Sequence, residues 1–374
     1  MTQIFNRWLR KYLSDPQAVI LGLLLLLGFV VVFYLGDMLA PLLASMVIAY
    51  LLESLVGLLT RRGVPRLAAV LVVFALFMTL LLFLLFGLVP LLSKQISQLV
   101  QELPNMIAAG QRTLLLLPER YPHFITEEQI REIMAALRVG LTTLGQTVLS
   151  VSLASISQLF TLTIYVVLMP VLVFFFLKDK EKLHDWVARY LPEDRGVATQ
   201  VWHEMDLQIG NYIRGKFVEI VVVGAASFVV FAFMGLKYAM LLGALVGLSV
   251  IIPYVGAVAV TFPVVLIAYF QWGWSSEFAY LVIAYLVVQL LDGNLLVPLL
   301  FSEAVNLHPI AIITAVLLFG GLWGFWGVFF AIPLATLVKA VVHAWPRSTP
   351  ESVVAEGEEP ATRPAPEREA SEGR

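Results

Sequence analysis

The chain has 374 residues, 60% of them hydrophobic and only 13% charged, where an ordinary soluble domain carries about 25% charged residues. A soluble core of this size could not hide so much apolar surface, so lipid is the expected solvent. The formal net charge is −2, and without the tail 346–374 the chain holds 20 basic and 19 acidic residues; that balance speaks against a nucleic-acid partner, and the lack of cysteine excludes disulfides and thiolate chemistry.

Residues 1–16 carry Arg7, Arg10 and Lys11, and 17–36 is a run of 20 residues without a charge. A signal peptide would have an apolar core of about 7–15 residues followed by a small-residue cleavage site. This run is instead long enough to cross a bilayer core of about 30 Å at about 1.5 Å per residue. It is read as an uncleaved first span with its basic N-terminus in the cytoplasm. A second span over 39–59 returns to TRRGVPR, where Arg61, Arg62 and Arg66 mark the inner side. Glu53, near the inner end, is expected to pair with those arginines. The 27 uncharged residues of 67–93 form a third span, with some tilt.

Residues 94–150 alternate apolar and polar positions at helical spacing around the turn-like LPERYPHF. They predict an amphipathic helical subdomain on the outer face, either capping a transport path or packing on the membrane surface. A fourth span over about 155–177 ends in FFFLKDKEK, with Lys178, Lys180 and Lys182 again inside. The segment 178–216 has the mixed charges of a solvated helix face. A fifth span over 217–236 leads outward to Lys237, with Glu219 near its inner end.

The next 39 residues, 238–276, hold no charge but are interrupted at Pro253 and Gly256. Residues 304–338 repeat the pattern, with Gly320, Gly321, Gly324 and Gly327 at the centre and Pro333 beyond them. Each run is either a broken span or a re-entrant hairpin. Both options leave Lys339, His343 and Arg347 inside, so parity does not choose between eight spans and six spans plus two hairpins. The paired interruptions match the broken helices of secondary transporters, which favours hairpins. The tail 346–374, rich in Pro, Glu and Ala, is expected to be disordered in the cytoplasm. The fold class is thus all-α and polytopic, with about six to eight transmembrane helices. N-terminal spans occupy 1–93, the outer subdomain 94–150, the core 151–345 and the tail 346–374.

The chemistry concentrates in QLLDGNLLVPLL, which places Asp292 in mid-run between Gln289 and Asn294. A charged side chain inside hydrocarbon costs on the order of 3 kcal/mol and rarely sits there idly. Burial would let Asp292 load and unload a proton or cation; the alternative is a hydrogen-bonding post satisfied by Asn294 or a freed backbone N–H. Gln289 lies one helical turn before it and can face the same cavity. Pro253 and Gly256 either expose carbonyls along a path or make a structural kink. The glycines at 320, 321, 324 and 327 have the spacing of close helix packing. Glu303 and His308 belong at a membrane boundary, as gate or as surface. No Walker A loop, GxSxG or HExxH occurs; neither an enzyme, a cofactor nor a metal site is expected.

The motifs IPYVGA, QLLDGNLLVPLL, NLHP, GGLWGFWG and AIPLA, in this order, resemble the AI-2E family of bacterial inner-membrane proteins. The resemblance runs from SDP near residue 14 through FFLKDKEK and NYIRGK to KAVVHAW near residue 345. It implies a homo-oligomeric inner-membrane transporter with a small-molecule or cation substrate. Members are linked to autoinducer-2 export and, in other branches, to sodium or lithium/proton antiport. The expected function is a secondary-active exporter or cation/proton antiporter with both termini cytoplasmic. A scaffold for envelope or division proteins is the second reading, and a passive pore the third.

Overall fold

The computed structural model of the protein describes residues 16–115, 156–189, 196–301 and 307–344, with isolated positions between 128 and 140. The N-terminal basic cluster, most of the expected outer subdomain, Glu303 and the tail lie outside the described residues. The structure is 91% helical, and no strand occurs among the described residues. Six helices are long and apolar enough to cross a membrane, so the protein is an all-α polytopic membrane protein.

The first two expected spans are one helix. Helix α1 runs without a break over Pro16–Arg61, 46 residues, or about 69 Å, with Pro16 and Arg61 at opposite ends. Gly36 next to Asp37 weakens a helix by only about 1 kcal/mol and supplies no turn motif, so the apolar run propagates through it. The buried Ser45 hydroxyl donates to the carbonyl of Pro41 at 2.6 Å and to that of Met169 at 3.3 Å. It ties α1 to a later helix.

Helix α2 (Arg66–Phe83) continues through a π-helical turn at Leu84–Leu88 into α3 (Val89–Leu115). Pro90 has no N–H to return to the preceding turn, and the widened turn absorbs that loss. Beyond Lys94 the helix is amphipathic, as its sequence predicts. Helix α4 (Ile156–Lys178) and the short α5 (Lys180–Ala188) follow. Val56, Val70, Val73, Val173 and Leu177 bury one another where α1, α2 and α4 meet. At the end of that contact Glu53 pairs with Arg66 at 3.3 Å and Lys180 at 3.2 Å, as the sequence suggests for Arg66.

The C-terminal half is built on α6 (Gly196–Phe233, 38 residues). It takes in both part of the expected inner segment and the fifth span. Helices α7 (Ala239–Ser249) and α8 (Val255–Trp272) flank the break at Pro253. Gln271, at the end of α8, accepts from the N–H of Lys237 at 2.7 Å and donates to the carbonyl of Gly235 at 2.8 Å. The two helices are therefore antiparallel arms of a hairpin. Glycine lets α7 lie directly on α6: a Cβ at Gly247 would come 2.6 Å from the Ile220 carbonyl, and one at Gly243 would strike Phe228.

Helix α9 (Ser276–Leu291), capped by Ser275, passes through a second π-helical turn at Asp292–Leu296 into α10 (Val297–Phe301). Leu242, Val246, Val264, Ile267, Leu281 and Tyr285 pack these elements against Phe231 of α6. Helix α11 (Pro309–Phe329) reverses at Gly324, which has φ 57° and ψ −132°, and leads into α12 (Ala331–Ala344). Gly327 is brought against the Phe319 carbonyl, closer than any Cβ would allow. Tyr212 bonds the Phe329 carbonyl at 3.1 Å and Met205 clusters with Ala340, so α12 descends towards the start of α6. The two hairpins thus approach α6 from opposite ends. In the first, the arm α8 is long and apolar enough to cross a membrane alone, whereas α11 turns back at Gly324 before its end.

Candidate functional site

The break between α7 and α8 is the starting point. Val250 caps α7, so its carbonyl is among those left without a helical N–H. Tyr254 sits at φ 63° in the same segment, a strained conformation for a residue with a Cβ. The chain then turns so sharply that Gly256 lies against the Ser249 carbonyl, where no side chain fits. Pro253 and Gly256 are therefore the parts of a turn that presents backbone oxygens to the interior.

Lys216 of α6 reaches that turn. Its ammonium donates to the Val250 carbonyl at 2.8 Å and lies 2.7 Å from Glu219 Oε2. The two side chains are 6% and 4% exposed. A cation at the carbonyl end of a helix is favoured by the aligned peptide dipoles, and an isolated charge at this depth would cost several kcal/mol. The Phe301 ring, 5.2 Å from Nζ, closes one side. At 2.7 Å the Glu219 Oε2–Lys216 contact is a close, buried ion pair.

Asp292 starts the second π-helical turn, and it acts by charge on both Lys216 and Glu219. Its Oδ1 is buried and has no hydrogen-bond partner. Its sequence neighbours divide. The Gln289 amide donates to the Tyr285 hydroxyl at 2.6 Å, and that hydroxyl meets Thr261 of α8 at 3.1 Å. Asn294 donates to the Leu290 carbonyl of its own helix at 2.9 Å and is exposed. Asn294 thus satisfies the widened turn and does not satisfy Asp292.

The other sequence candidates lie elsewhere. His308 caps α11, its Nδ1 accepting from the Ile310 N–H at 3.3 Å. Gly320 and Gly327 pack across the second hairpin, Gly324 makes its reversal, and nothing lies within 4 Å of a Cβ at Gly321. Pro333 accepts a bond from the buried Thr336 hydroxyl. No group of three His, Cys, Asp or Glu suited to a metal ion occurs among the described residues.

Lys216, Tyr285 and Thr261 were not singled out in the sequence, and Glu219 was placed only near a membrane boundary. The signal was present: Lys and Glu three positions apart share a helix face.

The family model described as AI-2E family transporter matches residues 21–347. "Putative permease PerM" of Escherichia coli (strain K12) is 48% identical over 346 residues, covering 92% of this chain and 98% of its own. "Putative transport protein YueF" of Bacillus subtilis (strain 168) is 27% identical over 312 residues, 82% of this chain and 84% of its own. "Putative transport protein YrrI" of the same organism is 28% identical over 332 residues, 85% and 93% of the two chains.

Proposed function

Because the chain belongs to the AI-2E transporter family, we propose that it is a secondary-active transporter of the bacterial inner membrane. It is driven by an ion gradient and exports a small solute, or exchanges a cation for protons. The observation that carries this reading is Asp292: a carboxylate in a widened helical turn, its Oδ1 buried without a hydrogen-bond partner, within electrostatic reach of the buried Lys216–Glu219 pair. Asp292 is the group that takes up and releases the coupling proton or cation. Gln289 holds the adjacent helix face through Tyr285, and Pro253 and Gly256 shape the path where α7 ends. The protein works as a homo-oligomer with its C-terminus in the cytoplasm, while the unbroken helix α1 puts Pro16 on the side opposite Arg61, against the cytoplasmic N-terminus that two separate spans would give.

The test is ion movement in proteoliposomes holding purified protein and a pH-sensitive dye. Sodium, lithium and a panel of small signal-like solutes are added in turn, wild type beside Asp292→Asn. A solute-dependent signal lost in the variant supports coupled transport through Asp292. A flat trace for all solutes, from folded protein, turns the reading over in favour of a scaffold for envelope or division proteins.

A further inference from the structure

We propose that the end of the bundle where α1, α2 and α4 meet, with the short helix α5 beside it, is a docking site for anionic phospholipid. Arg61, Arg62 and Lys178 take the phosphate, and α5 lies in the membrane surface next to it. The inference goes beyond the transport reading and stands whether the chain carries a solute or scaffolds other proteins.

Three helix ends gather there. Helix α1 stops at Arg61, and Gly63, at φ 89°, turns the chain into α2. The turn closes on its own backbone: the N–H groups of Arg62 and Gly63 donate to the carbonyls of Leu59 and Thr60 at 3.0 Å. Arg66 opens α2 and donates to the Leu177 carbonyl at 3.3 Å, which brings in the end of α4 at Lys178. Lys180, at the start of α5, reaches Glu53 of α1 at 3.2 Å.

Charge at this end is unbalanced. Residues 53–66 and 178–189 hold seven Lys and Arg against four Asp and Glu. Glu53 is shared by Arg66 and Lys180, and Asp179 takes Lys182. Arg61, Arg62 and Lys178 are exposed, and none of them has a carboxylate within 4 Å among the described residues. Lys178 leans on the Phe174 ring at 5.8 Å instead. A phosphodiester supplies the missing anion, and arginine forks meet its oxygens two at a time. A zwitterionic headgroup brings as much positive charge as negative and corrects nothing.

The surface one turn deeper is apolar. Leu58 comes three residues before Arg61 and Phe175 three before Lys178, so each shares a helix face with its cation. Both are exposed. Acyl chain below and phosphate above is the order of a phospholipid. Helix α5 repeats it: Leu183, Trp186 and Val187 are exposed along one arc of its nine residues, while Glu181 and Asp185 stand opposite. A short helix of this pattern, with tryptophan on the apolar arc, lies in the plane of the interface. Basic clusters so placed attract anionic lipid.

Native mass spectrometry of the purified protein tests the headgroup. Wild type should retain phosphatidylglycerol several-fold over phosphatidylcholine offered at equal concentration. The triple variant Arg61→Gln, Arg62→Gln, Lys178→Gln should lose that preference, while Lys237→Gln, beyond the other end of α6, keeps it. Equal retention of the two lipids by wild type, or an unchanged preference in the triple variant, overturns the proposal. Excess glycerol phosphate should leave the lipid bound; its release would mean a site for free phosphate and overturn the lipid assignment. If the triple variant does not fold, wild type decides alone, since its preference must fall several-fold as ammonium acetate is raised. The chain has no cysteine, so Val187→Cys and Asp185→Cys each take one spin label, read in nanodiscs containing phosphatidylglycerol. The label at 187 should collide mainly with oxygen and that at 185 with a water-soluble nickel chelate. A water-exposed label at both positions overturns the seating of α5.

Discussion

Lys216 and Val250 lie 34 residues apart, yet the lysine ammonium donates to the valine carbonyl at 2.8 Å across two helices. The bond joins the middle of α6 to the tip of the first hairpin, and it exists because α7 stops there and leaves the carbonyl without a helical donor. Glu219 completes the arrangement one turn along α6.

That geometry makes the pair interdependent. Removing one member of a buried ion pair leaves an uncompensated charge and costs about 3–5 kcal/mol, whereas replacing both by apolar groups is often near neutral. Glu219→Leu should therefore lower the thermal unfolding temperature of the detergent-purified protein more than Lys216→Met with Glu219→Leu together. Losses that simply add in the double variant would show that the pair does not hold the core.

Glycine positions separate into two kinds. Gly256 lies against the Ser249 carbonyl, while nothing lies within 4 Å of a Cβ at Gly321. Gly256→Ala should abolish monodisperse protein on size-exclusion chromatography, and Gly321→Ala should behave as wild type. Equal yield from both would refute the described turn.

Gly324 carries the reversal of α11 at φ 57° and ψ −132°. That conformation costs a residue with a side chain on the order of 1–3 kcal/mol. Gly324→Ala should destabilise by about that amount, without the steric clash met at Gly327. Thermal unfolding of Gly324→Ala beside Gly327→Ala measures both, and the second should be the more damaging.

The Gln289–Tyr285–Thr261 chain connects the face carrying Asp292 to α8. Tyr285 is 1% exposed, so Tyr285→Phe leaves the half-buried Gln289 amide without its acceptor, while Thr261 keeps its bond to the Ala257 carbonyl, a loss of about 1–3 kcal/mol. Gln289→Leu combined with Tyr285→Phe should cost less than the two single changes added together. A strictly additive pair would mean that the 2.6 Å bond contributes no coupling.

Much of this was legible in the chain itself. Apolar runs marked most of the spans, the interruptions at Pro253 and among the glycines 320–327 fell where the chain turns although a broken span stayed open as the alternative, and Asp292 stood out as the charge that hydrocarbon does not tolerate. Two features were not legible. Asp37 suggested the end of a span, but one acid beside a glycine does not stop a helix that apolar residues continue on both sides. Lys216 suggested a membrane boundary, because a lysine read alone belongs in water. Its burial depends on Glu219, which is local, and on the Val250 carbonyl, which only the folded hairpin brings within reach.

The glycine contact between α6 and α7 has a mechanical meaning. With Gly224 against Gly247 and Gly243 against Phe228, the two backbones touch with no side chain between them to yield. Helix α7 is in effect welded to α6. Across the joint Gly256 closes on the Ser249 carbonyl, but beyond it α8 meets its neighbours through the larger and more compliant Val264, Ile267 and Tyr285. In the first hairpin one arm is fixed to α6 backbone to backbone, and the other rests on its neighbours through side chains.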